Sequence, residues 1–235
     1  MKDEYIYLTY SKRISENLST TSLVRFRLKE EKVIDMEEIF EALPYVVSSY
    51  HYGSRIAFDN KENIYITVGD RFNYTTASEI GDPYLSDPQK LNNHLGKIIR
   101  LKLDGSIPED NPKFTGKSEW LPEIYQIGIR NPQGLVESPF DNKIYMSNHG
   151  AKGGDWFGEV KKGENYGWKI LGWGGKNYSG LPIGPKWKPG FTKAIKYWVP
   201  SIATSAITIY KGNEFKDWNG HALVTSLKDL SLIHI

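Results

Sequence analysis

RIAFDNKENIYITV at residues 55–68 and GLVESPFDNKIYMS at residues 134–147 share one pattern. Each holds a β-prone run, an Asp-Asn turn and a second run built on Ile-Tyr. Asp and Asn bond their own backbone and tolerate left-handed geometry, so this pair between two such runs predicts a hairpin. The second half recurs as EYIYLTY (4–10), NIYITVGDR (63–71), KIYMSNHG (143–150) and HALVTSLK (221–228). Tyr7, Tyr65, Tyr145 and Leu223 take equivalent places, 58, 80 and 78 residues apart. A constant strand–turn–strand kernel at irregular spacing suits propeller blades with unequal loops, whereas a sandwich would not need the kernel to recur. Three kernels end in polar groups: Gly69-Asp70-Arg71, Asn148-His149-Gly150 and Ser226-Leu227-Lys228. In a propeller, equivalent strand ends gather at one face, so these residues should converge.

The rest of the chain agrees with an all-β reading. Short runs at Tyr5–Tyr10, Leu23–Leu28, Lys97–Leu103, Ile207–Tyr210 and Ala222–Thr225 alternate with Gly, Asn, Asp and Pro. The best helical stretch, Val33–Leu43, is short and runs into Pro44. Composition excludes several classes. With no cysteine there is no disulfide scaffold, thiolate metal site or cysteine nucleophile. Lys and Arg number 30 against 28 Asp and Glu, with no basic block, which argues against a nucleic-acid footprint. At 39% apolar and 13% aromatic residues the chain is too hydrophobic for disorder. No apolar run is long enough to span a membrane. The opening MKDEYIYLTYSKR shows no signal peptide. The closing LSLIHI, residues 230–235, fits no turn or cap. It reads as a non-native tail, the translation of a sequencing adapter, with a short C-terminal strand as the other reading. The folded unit is then residues 1–229.

Several residues stand out as chemistry. His51, in SSYHYGSRIAF, is either a structural histidine or a base presented on a loop. Asp70 either caps a turn or orients a histidine or metal. Gly128–Gly134 (GIRNPQG) packs the donors of Arg130, Asn131 and Gln133 between glycines, which suits either an acceptor-rich ligand or a stapled turn. The Gly-rich run Asn148–Asp155 offers backbone carbonyls to a hard cation such as Ca²⁺, without EF-hand spacing. Asn165-Tyr166-Gly167-Trp168 reads as an aromatic corner between blades. Ser201 is a free donor. Lys228 ends an apolar strand, either solvated or facing an anion. His94-Leu95-Gly96-Lys97 and the hairpin after it read as structural.

Together, HYGSR (51–55), YITVGDR (65–71), HLGKIIRLKLDGSIPEDNP (94–112), IGIRNPQG (127–134), SNHGAKGGD (147–155), ENYGWK (164–169), WVPSIATS (198–205) and LVTSLKD (223–229) resemble the soluble pyrroloquinoline-quinone (PQQ)-dependent sugar dehydrogenases, the glucose/sorbosone dehydrogenase family. The pieces fall in family order along nearly the whole chain. The resemblance implies a six-bladed β-propeller that binds PQQ and Ca²⁺ at its channel mouth, here as an incomplete propeller of roughly four blades. It implies oxidation of an aldose at C1 to the lactone, with hydride passed to PQQ and an external electron acceptor downstream. By position, His51 is the general base, Asp70 orients it, and Arg130 faces the PQQ carbonyl. Asn131, Gln133, Ser201 and Lys228 contact the cofactor. The carbonyls of Gly150 and Ala151 ligate Ca²⁺. The full-length protein is expected in the periplasm or secreted.

Some departures accompany this. Tyr50 precedes His51 where some members have Asp, and Trp156 follows Asp155 where an acidic residue is common. The family's C-terminal Arg contacts to PQQ would lie beyond Lys228, and its N-terminal substrate contact before Met1. Two other functions fit the same fold: a non-catalytic carbohydrate- or protein-binding propeller, and a metal-dependent propeller lactonase. The lactonase needs several side-chain ligands, and only Asp70 and Asn131 offer themselves. An isolated four-blade fragment is expected to be poorly soluble and inactive, since unpaired blade edges invite aggregation.

Overall fold

The computed structural model describes residues 5–72, 87–116 and 119–235. Glu4, the first residue of the first kernel, lies outside them. Among these residues fourteen strands form four antiparallel sheets in chain order. The first is β1 (Ile6–Arg13), β2 (Ser19–Lys29) and β3 (Lys32–Glu41). The second is β4 (Gly53–Phe58), β5 (Asn63–Val68), β6 (Lys97–Lys102) and β7 (Ile124–Gln126). The third is β8 (Asn131–Glu137), β9 (Ile144–His149), β10 (Asp155–Glu159) and β11 (Lys196–Trp198). The fourth is β12 (Thr204–Ile209), β13 (Ala222–Ser226) and β14 (Ser231–His234). Each sheet is a meander, and together they form four blades of a propeller.

The four kernels are β1, β5, β9 and β13. The Asp-Asn turns work as the sequence predicts. Asp59 Oδ1 accepts the N–H groups of Lys61 and Asn63, each at 2.9 Å. Asp141 Oδ1 accepts the N–H of Lys143 at 3.2 Å, and Asn142 takes a φ of 56°. The strands β4, β8 and β12, which precede the kernels, touch one another in sequence.

Two segments that the sequence reads weakly lie in strands. Val33–Leu43 is no helix: it supplies most of β3, which pairs with β2. Cross-strand pairing decides this, with Arg25 on Glu37 at 2.8 Å and Arg27 on Asp35 at 3.3 Å. Ser231–His234, within the segment read as a non-native tail or a short C-terminal strand, pair with β13 as β14. The free edge of β13 offers unpaired N–H and C=O groups to any extended segment.

Every residue of β5 is buried, because both faces of its sheet are covered. Ile64, Ile66 and Val68 enter a core shared with Leu23 and Phe40 of the first sheet. Tyr65, between them, points the other way and joins a core with Ile144, Met146 and Trp156 of the third. Period-two alternation sends successive side chains to opposite faces. A third core joins Phe157 to Ile209, Ala222 and Val224 of the fourth sheet.

Lys97 opens β6 with no exposed surface. Its ammonium donates to the carbonyls of Leu95 (2.6 Å) and Asp87 (2.8 Å). Burial drives the amine down to about 7; Lys90 adds to the fall and Asp87 opposes it. An unfolded lysine holds its proton to about pH 10. Between about pH 7 and 10 the unfolded chain therefore binds more protons, and stability should rise with pH by up to about 1.4 kcal/mol per unit. Lys97→Met should remove that rise. Melting curves at pH 7 and 9 check it; an equal wild-type-minus-variant difference at both would refute it.

Candidate active site

The site is built from equivalent ends of neighbouring blades. His51 precedes β4 and Asp70 follows β5. Arg130 precedes β8, and Gly150 follows β9. Ser201 precedes β12 and Lys228 follows β13. In each antiparallel pair, the start of one strand and the end of the next lie at the same edge.

His51 and Asp70 form a dyad. Nδ1 of His51 donates to Oδ1 of Asp70 at 2.6 Å. The same oxygen accepts the N–H of Phe72 at 2.8 Å, so Asp70 caps its turn and orients the histidine at once. Its other oxygen accepts the indole N–H of Trp168 at 2.7 Å. Burial pushes the Asp70 carboxyl up, but the His51 bond, the charges of His51 and Arg130 and the Phe72 N–H together hold it below the usual carboxylate range. An ionised acceptor at Nδ1 fixes the tautomer, leaving the Nε2 lone pair of His51 as a base.

The loop carrying His51 is clamped. Arg71 is 1% exposed and lies over the ring of Tyr52, with its guanidinium carbon 3.5 Å from the ring centroid. Its nitrogens donate to the carbonyls of Tyr50 and Ser48 and to the hydroxyl of Ser19. His51 itself sits at φ 50°, a strained geometry that this clamp imposes. Gly69 is required beside it, since a Cβ there would stand 2.0 Å from the His51 carbonyl oxygen.

Arg130 is buried against the dyad, and its carbonyl accepts the Asp70 N–H at 2.7 Å. The guanidinium lies among Trp168 (5.3 Å), Phe72 (6.0 Å) and Tyr178 (6.0 Å). Nη1 donates to the carbonyls of Gly150 at 2.5 Å and His149 at 3.4 Å. The Gly150 carbonyl is therefore not free, as the sequence had suggested, while that of Ala151 accepts no backbone bond among the described residues. Asn131 and Gln133 bond to each other, Nε2 of Gln133 to Oδ1 of Asn131 at 2.9 Å.

Ser201 and Lys228 form a second group. Ser201 is not the free donor expected: its hydroxyl donates to Oδ2 of Asp155 at 2.8 Å. Lys228 is exposed and reaches the Ser201 carbonyl at 3.3 Å. The two groups are joined by Asp155, which the sequence did not single out. Fully buried, it accepts the Gly150 N–H on Oδ1 at 2.8 Å and the N–H groups of Ile202 and Thr204 on Oδ2 at 3.1 and 3.3 Å. Burial lowers the His149 pKa, and its Nε2 donates to the Thr204 carbonyl.

Trp168 was assigned to an aromatic corner. Tyr166 does stack there on Trp156 at 4.0 Å, but Trp168 turns into the site. Its only sequence signal was position in the ENYGWK segment. Phe72 and Tyr178 carried no signal. Among the described residues no three His, Asp or Glu side chains converge on a metal site, so a cation here would rely on backbone oxygens.

Asp70→Asn should destabilise the protein at neutral pH. Because the folded carboxyl titrates below its ordinary value near 3.9, the stabilisation is complete above that pH and lost as pH falls through the folded value. The wild-type and variant melting curves should therefore converge in acid, and a gap that persists would refute the assignment. Gly69→Ala should displace His51 and be read as loss of the dyad's imidazole signal in NMR.

The sequence profile of the Glucose / Sorbosone dehydrogenase family matches residues 1–235. The chain is 34% identical over 234 residues to the aldose sugar dehydrogenase of Escherichia coli, covering 97% of this chain and 59% of that one. It is 30% identical over 248 residues to quinoprotein glucose dehydrogenase B of Acinetobacter calcoaceticus, covering 96% and 48%. The crystal structure of the soluble E. coli aldose sugar dehydrogenase in its apo form superposes with a TM-score of 0.86 at 33% identity, over 99% of this chain and 65% of that one. The chain thus spans roughly half to two thirds of the length of these proteins. With a dyad, a buried arginine and a carbonyl loop gathered at one face of the propeller, the chain belongs to the glucose/sorbosone dehydrogenase family.

Proposed function

We propose that the full-length protein oxidises an aldose at C1 to the lactone, using PQQ and Ca²⁺. The observation that carries this is the His51–Asp70 dyad, 2.6 Å long, set beside the buried cation of Arg130. Loss of hydride from a hemiacetal carbon requires that the hydroxyl proton leave with it. Nε2 of His51 takes that proton. Asp70 holds the imidazole in the required tautomer and stabilises the imidazolium that forms. Trp168 and the Phe72 N–H keep the carboxylate ionised and fixed. Arg130 places a positive charge where an acceptor's carbonyl gains negative charge.

The residues present fit the implied groups. A flat, acceptor-rich quinone with carboxylates suits a wall of Phe72, Trp168 and Tyr178 with Arg130, Asn131, Gln133 and Lys228 as donors, while the Ser201 hydroxyl, which donates to Asp155, can only accept. When bound, PQQ supplies the two-electron redox chemistry that no side chain here can. The carbonyls of Gly150 and Ala151 would supply two of the roughly six to eight oxygens that a Ca²⁺ ion takes. The Gly150 oxygen is shared with Arg130, so a cation there competes with a guanidinium. The compartment rests on the family alone: we read the full-length protein as periplasmic or secreted.

The test is dye reduction by the full-length gene product with an aldose, PQQ and Ca²⁺. His51→Ala should lower kcat by about 10²- to 10⁴-fold. No sugar-dependent reduction by the wild type, or an unchanged rate in His51→Ala, would refute the proposal.

A further inference from the structure

Overall charge is nearly balanced, but its distribution is not. Between Glu164 and Glu214 there are seven lysines and no Asp or Glu. The fold gathers part of this stretch on one side of the site. Lys152, Lys176, Lys186, Lys193 and Lys196 are exposed, and no ion pair among the described residues involves them. Two of their ammonium groups sit on aromatic rings instead, Lys186 at 4.6 Å from Tyr197 and Lys193 at 5.7 Å from Trp187. Rings orient the cations without cancelling their charge. The Glu164 carboxylate is tied to the Thr192 hydroxyl at 2.8 Å.

Between the lysines the surface is apolar. Ile195 is 56% exposed, Val199 52% and Trp187 38%. Lys186, Ile195, Lys196, Tyr197 and Val199 line a cavity of about 460 Å³. This surface is continuous with the site wall. Lys152, two residues from Gly150, donates its N–H to the Lys176 carbonyl at 2.9 Å. The hairpin that starts at Lys176 carries Tyr178, whose ring meets Phe72 at 6.0 Å and whose hydroxyl accepts from Arg130 Nη2 at 3.4 Å. Lysine on an open sheet edge can also simply prevent aggregation, which would account for Lys196 on β11. It does not account for Lys152, Lys176 and Lys186, which lie in loops outside the strands.

We propose that this lysine-rimmed apolar surface docks an acidic electron-carrier protein. The proposal rests on the dehydrogenase reading of the site. Conversion of an aldose to its lactone releases two electrons and two protons. Two one-electron carriers would each leave with one electron, and the protons pass to solvent. A small apolar centre with a charged rim suits such a partner, because redox encounters use small interfaces and charge complementarity mainly raises the association rate.

The probe is an acidic c-type cytochrome, with a basic c-type cytochrome as control, titrated into the full-length protein without PQQ or sugar. The acidic cytochrome should bind, and weaken at least about tenfold between about 20 and 200 mM salt. The triple variant K186E/K193E/K196E should lose at least about tenfold in its affinity while sugar-dependent reduction of a neutral dye stays unchanged. Equal binding of acidic and basic cytochromes, or unchanged binding by the variant, would overturn the proposal. So would a short DNA duplex that binds as tightly and displaces the cytochrome, since that marks a general polyanion surface. Absence of dye reduction in the wild type would instead defeat the dehydrogenase reading, because docking is judged by binding alone.

Discussion

Tyr65 and Ile66 are neighbours in β5 yet belong to different cores, one shared with the third sheet and one with the first. That division is the constraint on which the rest depends. The second sheet is covered on both faces, so its kernel strand β5 is buried throughout, whereas β1 at the outer blade is half exposed. Stacking such sheets in chain order leaves only their ends free to carry polar groups. The kernels accordingly end in Asp70, His149 and Ser226, and the strand after each turn returns those ends to one face.

Within that face the Asp70 carboxylate is the organising group. One oxygen holds His51 and the Phe72 N–H, the other holds Trp168, and the backbone is tied to Arg130. The distant segments of His51, Arg130 and Trp168 thus meet on one residue. Asp155 does the same for the neighbouring blade, joining the Gly150 loop to the Ser201–Thr204 segment. Both carboxylates are buried and accept several N–H or O–H donors, the condition under which a buried charge is stabilising rather than costly.

The fold was legible because the kernel is local. A strand, an Asp-Asn turn and a strand lie within fourteen residues, and their turn chemistry needs no distant partner. His51, Asp70 and Arg130 were legible through their segments, once these stood in one order. Trp168 and Asp155 were not, because nothing local distinguishes an indole in an aromatic corner from one that turns back to donate a hydrogen bond. The strand at Lys32–Glu41 was not legible by itself, because its pairing comes from β2, not from its own periodicity.

Sequence alone therefore determined the all-β class, the repeating blade kernel, the absence of thiol chemistry and the family-typical segments. These follow from short-range pattern and composition. Tertiary structure decided which polar ends meet, that the Gly150 carbonyl already serves Arg130, that Ser201 serves Asp155, and that Lys186 and Lys196 share one cavity with exposed apolar side chains. Hydrogen bonds and surface charge depend on distances in space, and those are fixed only when the sheets stack.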